Sequence, residues 1–238
     1  MKRLVYQVAG RARPAAIILL LWTTLLSFAW LRFRPETVPS LSPPVARRAL
    51  TSRLAYVVLD GLRDDLFRAL LPRTAALARQ RGVLCPVQTP TLTFTVTGIY
   101  GLGTGDVPTL SLVPNNFSAR RLDVDSLPGA AVRSGKRAVL FGEPVWKDLF
   151  GSALVAGETR RDLGPYVTDW SASAELGFFQ GLRSHACELC IWHDASFDKV
   201  GHRHGVFGDG YVAYARKMDA DIARAVDDAG PETTWFVT

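Results

Sequence analysis

The stretch Leu54–Asp65, LAYVVLDGLRDD, constrains the fold of this chain more than any other. Its first six residues are apolar and rich in β-branched side chains. Such an unbroken run reads as a strand buried on both faces. It ends on Asp60 and Gly61, and a helical pattern follows. In α/β folds, ligands sit outside the carboxyl ends of the strands. A carboxylate at that edge is costly to bury alone and needs a cation or hydrogen-bond donors. Two readings of Asp60 stand side by side: a helix N-cap and a metal ligand.

Downstream, strand and helix patterns alternate. Helical signals cover Ala75–Arg81, Val96–Leu102, Ser126–Ser134, Asp169–Arg183 and Tyr211–Asp228. The last is the clearest, with Tyr211, Ala215, Met218, Ile222 and Val226 on one stripe at helical spacing. Strand signals cover Val83–Val87, Arg137–Phe141, Leu189–His193 and Thr234–Val237. Asp64 and Asp65 suit the first turn of a helix, where the dipole favours carboxylates. The alternation predicts an α/β domain, a mostly parallel sheet with helices on both faces.

Residues 14–31 carry no charge. As a helix they would span roughly 27 Å, close to the ~30 Å of a hydrocarbon core. The exit, Phe28-Ala29-Trp30-Leu31-Arg32, is a poor cleavage site. The expectation is therefore a single transmembrane signal anchor at 14–31. A basic tail at 1–13 precedes it, and a Pro/Arg-rich linker at 32–53 follows. The net charge of +6 is concentrated here, because residues 1–53 carry nine Lys/Arg against one Glu. That basicity suits anionic headgroups. The rest is slightly acidic, which argues against a nucleic-acid partner.

Three stretches carry candidate chemistry. Ser196–Gly205, SFDKVGHRHG, holds two of the four histidines. Asp198 and His202 are four apart, with His204 two beyond, and such carboxylates and imidazoles bind zinc-type cations. The glycines predict a loop folded around an ion. Pro90–Phe94, PTLTF, offers a hydroxyl at a strand-to-helix turn, where helix N–H groups stabilise an anion. Thr91, Thr93 and Thr95 compete for that role. His193 and Asp194 end a strand at the same edge and are candidates to support metal ligands. Cys187-x-x-Cys190 lacks the second pair of a zinc ribbon. It reads as buried or disulfide-linked, and three cysteines leave one unpaired.

Taken together, VVLDGLRDD, PTLTF, GEPVWKDLF (Gly142–Phe150) and FDKVGHRHG, in this order, resemble the alkaline-phosphatase superfamily. The likeness is to the branch of nucleotide pyrophosphatase/phosphodiesterases and GPI ethanolamine-phosphate transferases. It runs from about Leu54 to Thr238. It implies an alkaline-phosphatase-like catalytic domain at 54–238 with two zinc ions. Asp198 and His202 hold one ion, and Asp60 and Thr93 the other. Thr93 is the implied nucleophile and forms a phospho-threonine. Asn115 or Asn116 donates to the substrate phosphate. In the family an Asp-His-Gly metal motif and a later His follow a strand like TTWFVT. Neither is present here, so the resemblance implies a C-terminally incomplete domain that alone binds zinc weakly, turns over nothing and is poorly soluble.

The function expected on this basis is a membrane-anchored zinc phosphodiesterase facing away from the cytoplasm, acting on a nucleotide, phospholipid or glycan-phosphate ester. The alternatives are a phosphoethanolamine-type transferase acting on a lipid or glycan, and a non-catalytic anchored binding domain. A sulfatase fits less well, because no Pro-x-Arg follows Cys85.

Overall fold

The computed structural model describes residues 17–27, 51–89, 93–116, 120–159 and 169–238. Five strands form one sheet in the order β3-β2-β4-β1-β5: β1 (Arg53–Leu59), β2 (Ala138–Gly142), β3 (Val155–Thr159), β4 (Leu189–Asp194) and β5 (Thr233–Val237). Every neighbouring pair is parallel. β1 and β4 are central, and every residue of β4 is buried. From β1 the chain continues toward β2 on one side, and from β4 toward β5 on the other. In open parallel sheets ligands bind outside the carboxyl ends of the strands, which here are the ends of β1 and β4.

Strand alternation divides the core. Ala55, Val57, Leu59, Cys190 and Trp192 face one layer. That layer is built from α2 (Asp64–Leu70), α3 (Pro72–Arg81), α7 (Asp169–Arg183), α8 (Ser196–His204) and α9 (Asp209–Ala229). Tyr56, Val58, Leu140, Leu189 and Ile191 face the other, built from α4 (Thr95–Thr104), α5 (Leu127–Arg133) and α6 (Val145–Phe150). The predicted stripe of α9 is the buried one: Tyr211, Ala215, Met218 and Ile222 have no exposed surface. Asp219 on the same helix accepts from the Arg73 and Thr74 N–H groups and from the Thr74 hydroxyl, which docks the start of α3. Asp64 and Asp65 lie in the first turn of α2, as expected. Cys187 and Cys190 form a disulfide, and Cys85 is free and exposed.

Several expectations are corrected. Residues 83–87 form no strand, and Val83 and Val87 are exposed. Pro86 removes a ladder donor in the middle of that run. The edge strand β3 was not expected, because its sequence has no run of β-branched residues. Its Gly157 lies so close to the Phe141 ring that a Cβ would sit 2.5 Å from it. Ser196–His204 is a helix, not a loop. Residues 17–27 form a helix, α1, in which every residue is exposed. Among the described residues no helix is long and apolar enough to cross a membrane. The remainder of the expected 14–31 span, the basic tail and nearly all of the linker lie outside the described residues.

Candidate active site

The site is built where β1 and β4 end. Asp60 follows β1 directly, and its backbone N–H donates to Asp194 O at 2.9 Å. The Asp198 N–H donates to Asp60 O at 2.8 Å. This approach requires Gly61, which has φ +86° and where a Cβ would sit 2.5 Å from the Asp198 backbone. The first turn of α8 is thereby laid against the end of β1. In α8 the four-residue spacing puts Asp198 and His202 on one face, with His202 Nε2 3.3 Å from Asp198 Oδ1. His204 is exposed and lies two residues further along. Two residues correspond to about 200° of helix, so it faces away from that pair.

The Asp60 carboxylate is 24% exposed and has two neighbours on the α4 side. Thr95, the first residue of α4, donates its hydroxyl to Asp60 Oδ2 at 3.1 Å. His193 Nε2 lies 3.5 Å from the same oxygen. His193 is wholly buried, and among the described residues neither ring nitrogen meets a partner at full hydrogen-bond geometry. Burial pushes the Asp60 carboxyl up, but His193, the Thr95 hydroxyl and the Lys199 charge outweigh it and hold it below its usual range. Asp198 moves the other way. Burial raises its carboxyl, and the negative charge of Asp60 adds to the rise, against His202 and Lys199.

The three threonines are separated by the start of α4. Thr91 lies outside the described residues. Thr93 is exposed, just ahead of the N-cap Phe94. Buried Thr97 fixes that turn: its hydroxyl accepts from Phe94 N–H at 3.2 Å and donates to Phe94 O at 2.8 Å. Asn116 is at the same helix start, where its Oδ1 accepts from Val96 N–H at 3.3 Å. Asn115 is instead buried within the 3₁₀ turn Leu110–Asn116. The Asp194 carboxylate is turned toward α8 and α9. It accepts from the Ser196 hydroxyl at 2.6 Å, Ser196 N–H at 3.2 Å and the Tyr214 hydroxyl at 2.8 Å, and so shapes the turn into α8.

One ion pair at this edge was not anticipated. Lys199 Nζ lies 2.9 Å from Glu143 Oε1, with both side chains largely buried. Glu143 follows Gly142, and its N–H donates to His193 O at 3.0 Å. The available signal was the charged residue immediately after strand β2, which repeats the placement of Asp60 after β1.

The donor chemistry suits a zinc-type cation. Asp60 lies beside the Thr95 hydroxyl and Asp198 beside His202, and the charge of Asp60 helps raise the Asp198 carboxyl. These are ligand types that zinc takes, arranged as two pairs of donors rather than one cluster. Among the described residues no group of three or more His, Cys, Asp or Glu is placed to hold an ion.

No family model matches the chain. It is 27% identical over 176 residues to the human GPI ethanolamine phosphate transferase 2, catalytic subunit, covering 70% of this chain and 17% of that protein. It is 27% identical over 210 residues to the human GPI ethanolamine phosphate transferase 3, catalytic subunit, covering 78% and 19%. The mouse counterpart of the latter is 25% identical over 211 residues. The chain thus spans less than a fifth of the length of these relatives. They are transferases, and they favour the transferase alternative over the phosphodiesterase reading. The chain is weakly similar to GPI ethanolamine phosphate transferases, and its α/β domain is built on a parallel sheet.

Proposed function

We propose that this chain carries the catalytic region of a metal-dependent phosphoethanolamine-type transferase. The single observation that carries the reading is the meeting of Asp60, Asp198 and the start of α4 at one sheet edge. The relatives' names supply the group transferred, and their GPI substrate makes a glycolipid the acceptor class.

In this reading Thr93 is the nucleophile. Its exposed position ahead of the Phe94 N-cap leaves the hydroxyl open to substrate. Its oxygen bonds to the phosphorus of a phosphoethanolamine donor as the donor's ester oxygen leaves with a proton. An acceptor hydroxyl then attacks the same phosphorus, restoring the threonine. Asp60 would hold one cation and Asp198 with His202 the other. Bound zinc supplies Lewis-acid charge for the phosphoryl oxygens and eases loss of the hydroxyl proton. Thr95 holds the Asp60 carboxylate in place rather than reacting. Asn116 presents its amide Nδ2 to an equatorial oxygen, because its Oδ1 is engaged by Val96 N–H. The apolar side chains of α1 are exposed, which suits association with a membrane surface. The Cys187–Cys190 disulfide fits an oxidising compartment.

The test is covalent trapping. The full-length protein is incubated with excess zinc and an activated phosphoethanolamine ester, and the adduct is mapped by mass spectrometry. The adduct is expected on Thr93, lost in Thr93→Ala and kept in Thr95→Ala. An adduct on Thr95, or unchanged labelling of Thr93→Ala, removes Thr93 from the reaction. A phosphodiesterase would pass the group to water and leave an added acceptor alcohol unmodified.

A further inference from the structure

His193 is the residue at the site whose burial most needs a physical reason. It is fully enclosed, and among the described residues its one polar neighbour within ion-pair reach is the Asp60 carboxylate, short of full hydrogen-bond geometry. Burying an unpaired polar group costs free energy, and native interiors rarely keep one without cause. The ring is also held in place from both flanks. On one side, Val58 of β1 pairs in register with His193, and Asp60 N–H bonds to Asp194 O. On the other, Gly142 pairs with His193, has φ +93°, and would place a Cβ 2.0 Å from His193 O. Only glycine fits there. The backbone of His193 is therefore fixed between two strands, and strand alternation turns its side chain to the face that carries Asp60 and α4. Nε2 lies 3.5 Å from Asp60 Oδ2, the oxygen that also accepts from Thr95.

We propose that His193 is a positioning residue for Asp60: its Nε2–H is aimed at Oδ2 from below, fixing the carboxylate so that its remaining lone pairs face the cation. Such outer partners commonly orient metal-binding side chains. The ring assignment follows from the cost of orphaned groups. A buried N–H without an acceptor is worse tolerated than a bare acceptor nitrogen. The proton therefore sits on Nε2, which faces a carboxylate, and the bare nitrogen is Nδ1. Thr95 and His193 then hold Asp60 from two directions, one from the helix and one from the sheet. This inference rests on the reading of Asp60 as a metal ligand.

The experiment is a zinc titration of the 238-residue chain against a competing chelator, with three variants. His193→Leu is expected to weaken zinc binding about 10- to 100-fold. His193→Gln carries an amide N–H at about the reach of Nε2 and is expected to restore most of it. His193→Asn reaches only as far as Nδ1 and is expected not to. A zinc-free measurement covers the case in which a variant fails to fold. The ¹⁵N shifts of the His193 ring in the wild-type chain should show Nε2 protonated and Nδ1 bare when neutral. Leucine binding zinc as tightly as wild type, asparagine rescuing as well as glutamine, or a proton on Nδ1 each overturns the inference alone. A wild-type chain that takes up no zinc at all overturns the metal reading, and this inference with it.

Discussion

The two halves of the site are built on opposite terms. Asp60 sits at the end of the central strand, fixed through its backbone to β4 and α8 and through its carboxylate to Thr95. Asp198 and His202 sit on a short helix, with side chains 40% and 82% exposed. The first half has its side chain held by long-range packing, whereas in the second helical spacing brings the two side chains together on a helix docked through its backbone. A buried group is held by many neighbours, so changes there disturb the fold and the site together. An exposed pair depends on little else, so changes there alter binding and leave the fold alone.

The largest expected effect is at the joint between the halves. Gly61→Val should destabilise the domain by about 3 kcal/mol or more, because a left-handed backbone and a backbone overlap with Asp198 are forced together. Gly105 is the control, with φ +73° and open space around a Cβ. Gly105→Ala should cost only about 1–2 kcal/mol. Chemical denaturation measures both, and equal costs would show that the contact with Asp198 is unimportant.

Asp194→Ala comes next. It removes the acceptor shared by the Ser196 hydroxyl, the Ser196 N–H and the Tyr214 hydroxyl at the turn into α8 and should cost about 2–4 kcal/mol. Zinc affinity at Asp198–His202 should fall with it, since that turn aims the helix. A stable variant with unaltered affinity would separate the turn from the site.

His202→Ala sharpens the contrast. It should leave the thermal midpoint unchanged, within error, and remove the cation-binding capacity of the exposed half. A marked loss of stability would mean that the open half is structural.

The smallest effect is electrostatic. Asp60→Asn removes a like charge that helps raise the Asp198 carboxyl, so the Asp198 pKa should fall, as read by carboxyl ¹³C shifts. The sign follows directly: the carboxylate form of Asp198 becomes easier to reach, and it persists to lower pH. No movement, or a rise, would contradict the proximity of the two carboxylates.

Much of the scaffold was legible in the sequence. β1, β4 and the buried stripe of α9 announce themselves through unbroken apolar runs or helical spacing, which are local signals. α8 was not legible as a helix, because two glycines within ten residues and clustered histidines read as loop. Tertiary packing overrode that: Gly201 lies close to the Tyr211 ring, and Gly205 ends the helix with φ +73°. β3 was missed because its place depends on pairing with β2 rather than on its own composition. Asp60, Asp198 and His202 were identifiable as candidates from residue type and spacing. That Thr95 rather than Thr93 is hydrogen-bonded to Asp60, and that His193 lies beneath it, depends on how α4 and β4 dock beside β1. Those contacts join residues far apart in sequence, and no local pattern encodes them.

The central claim is that Asp60 and the Asp198–His202 pair hold cations at one sheet edge. Anomalous scattering at the zinc absorption edge, from crystals of the chain soaked in zinc, tests it most directly. The account predicts zinc peaks bounded by the Asp60 carboxylate and by Asp198 with His202, with His193 directed at Asp60 and not at the metal. Peaks confined to surface groups such as His185 or His204, with none at Asp60 or Asp198, would contradict it.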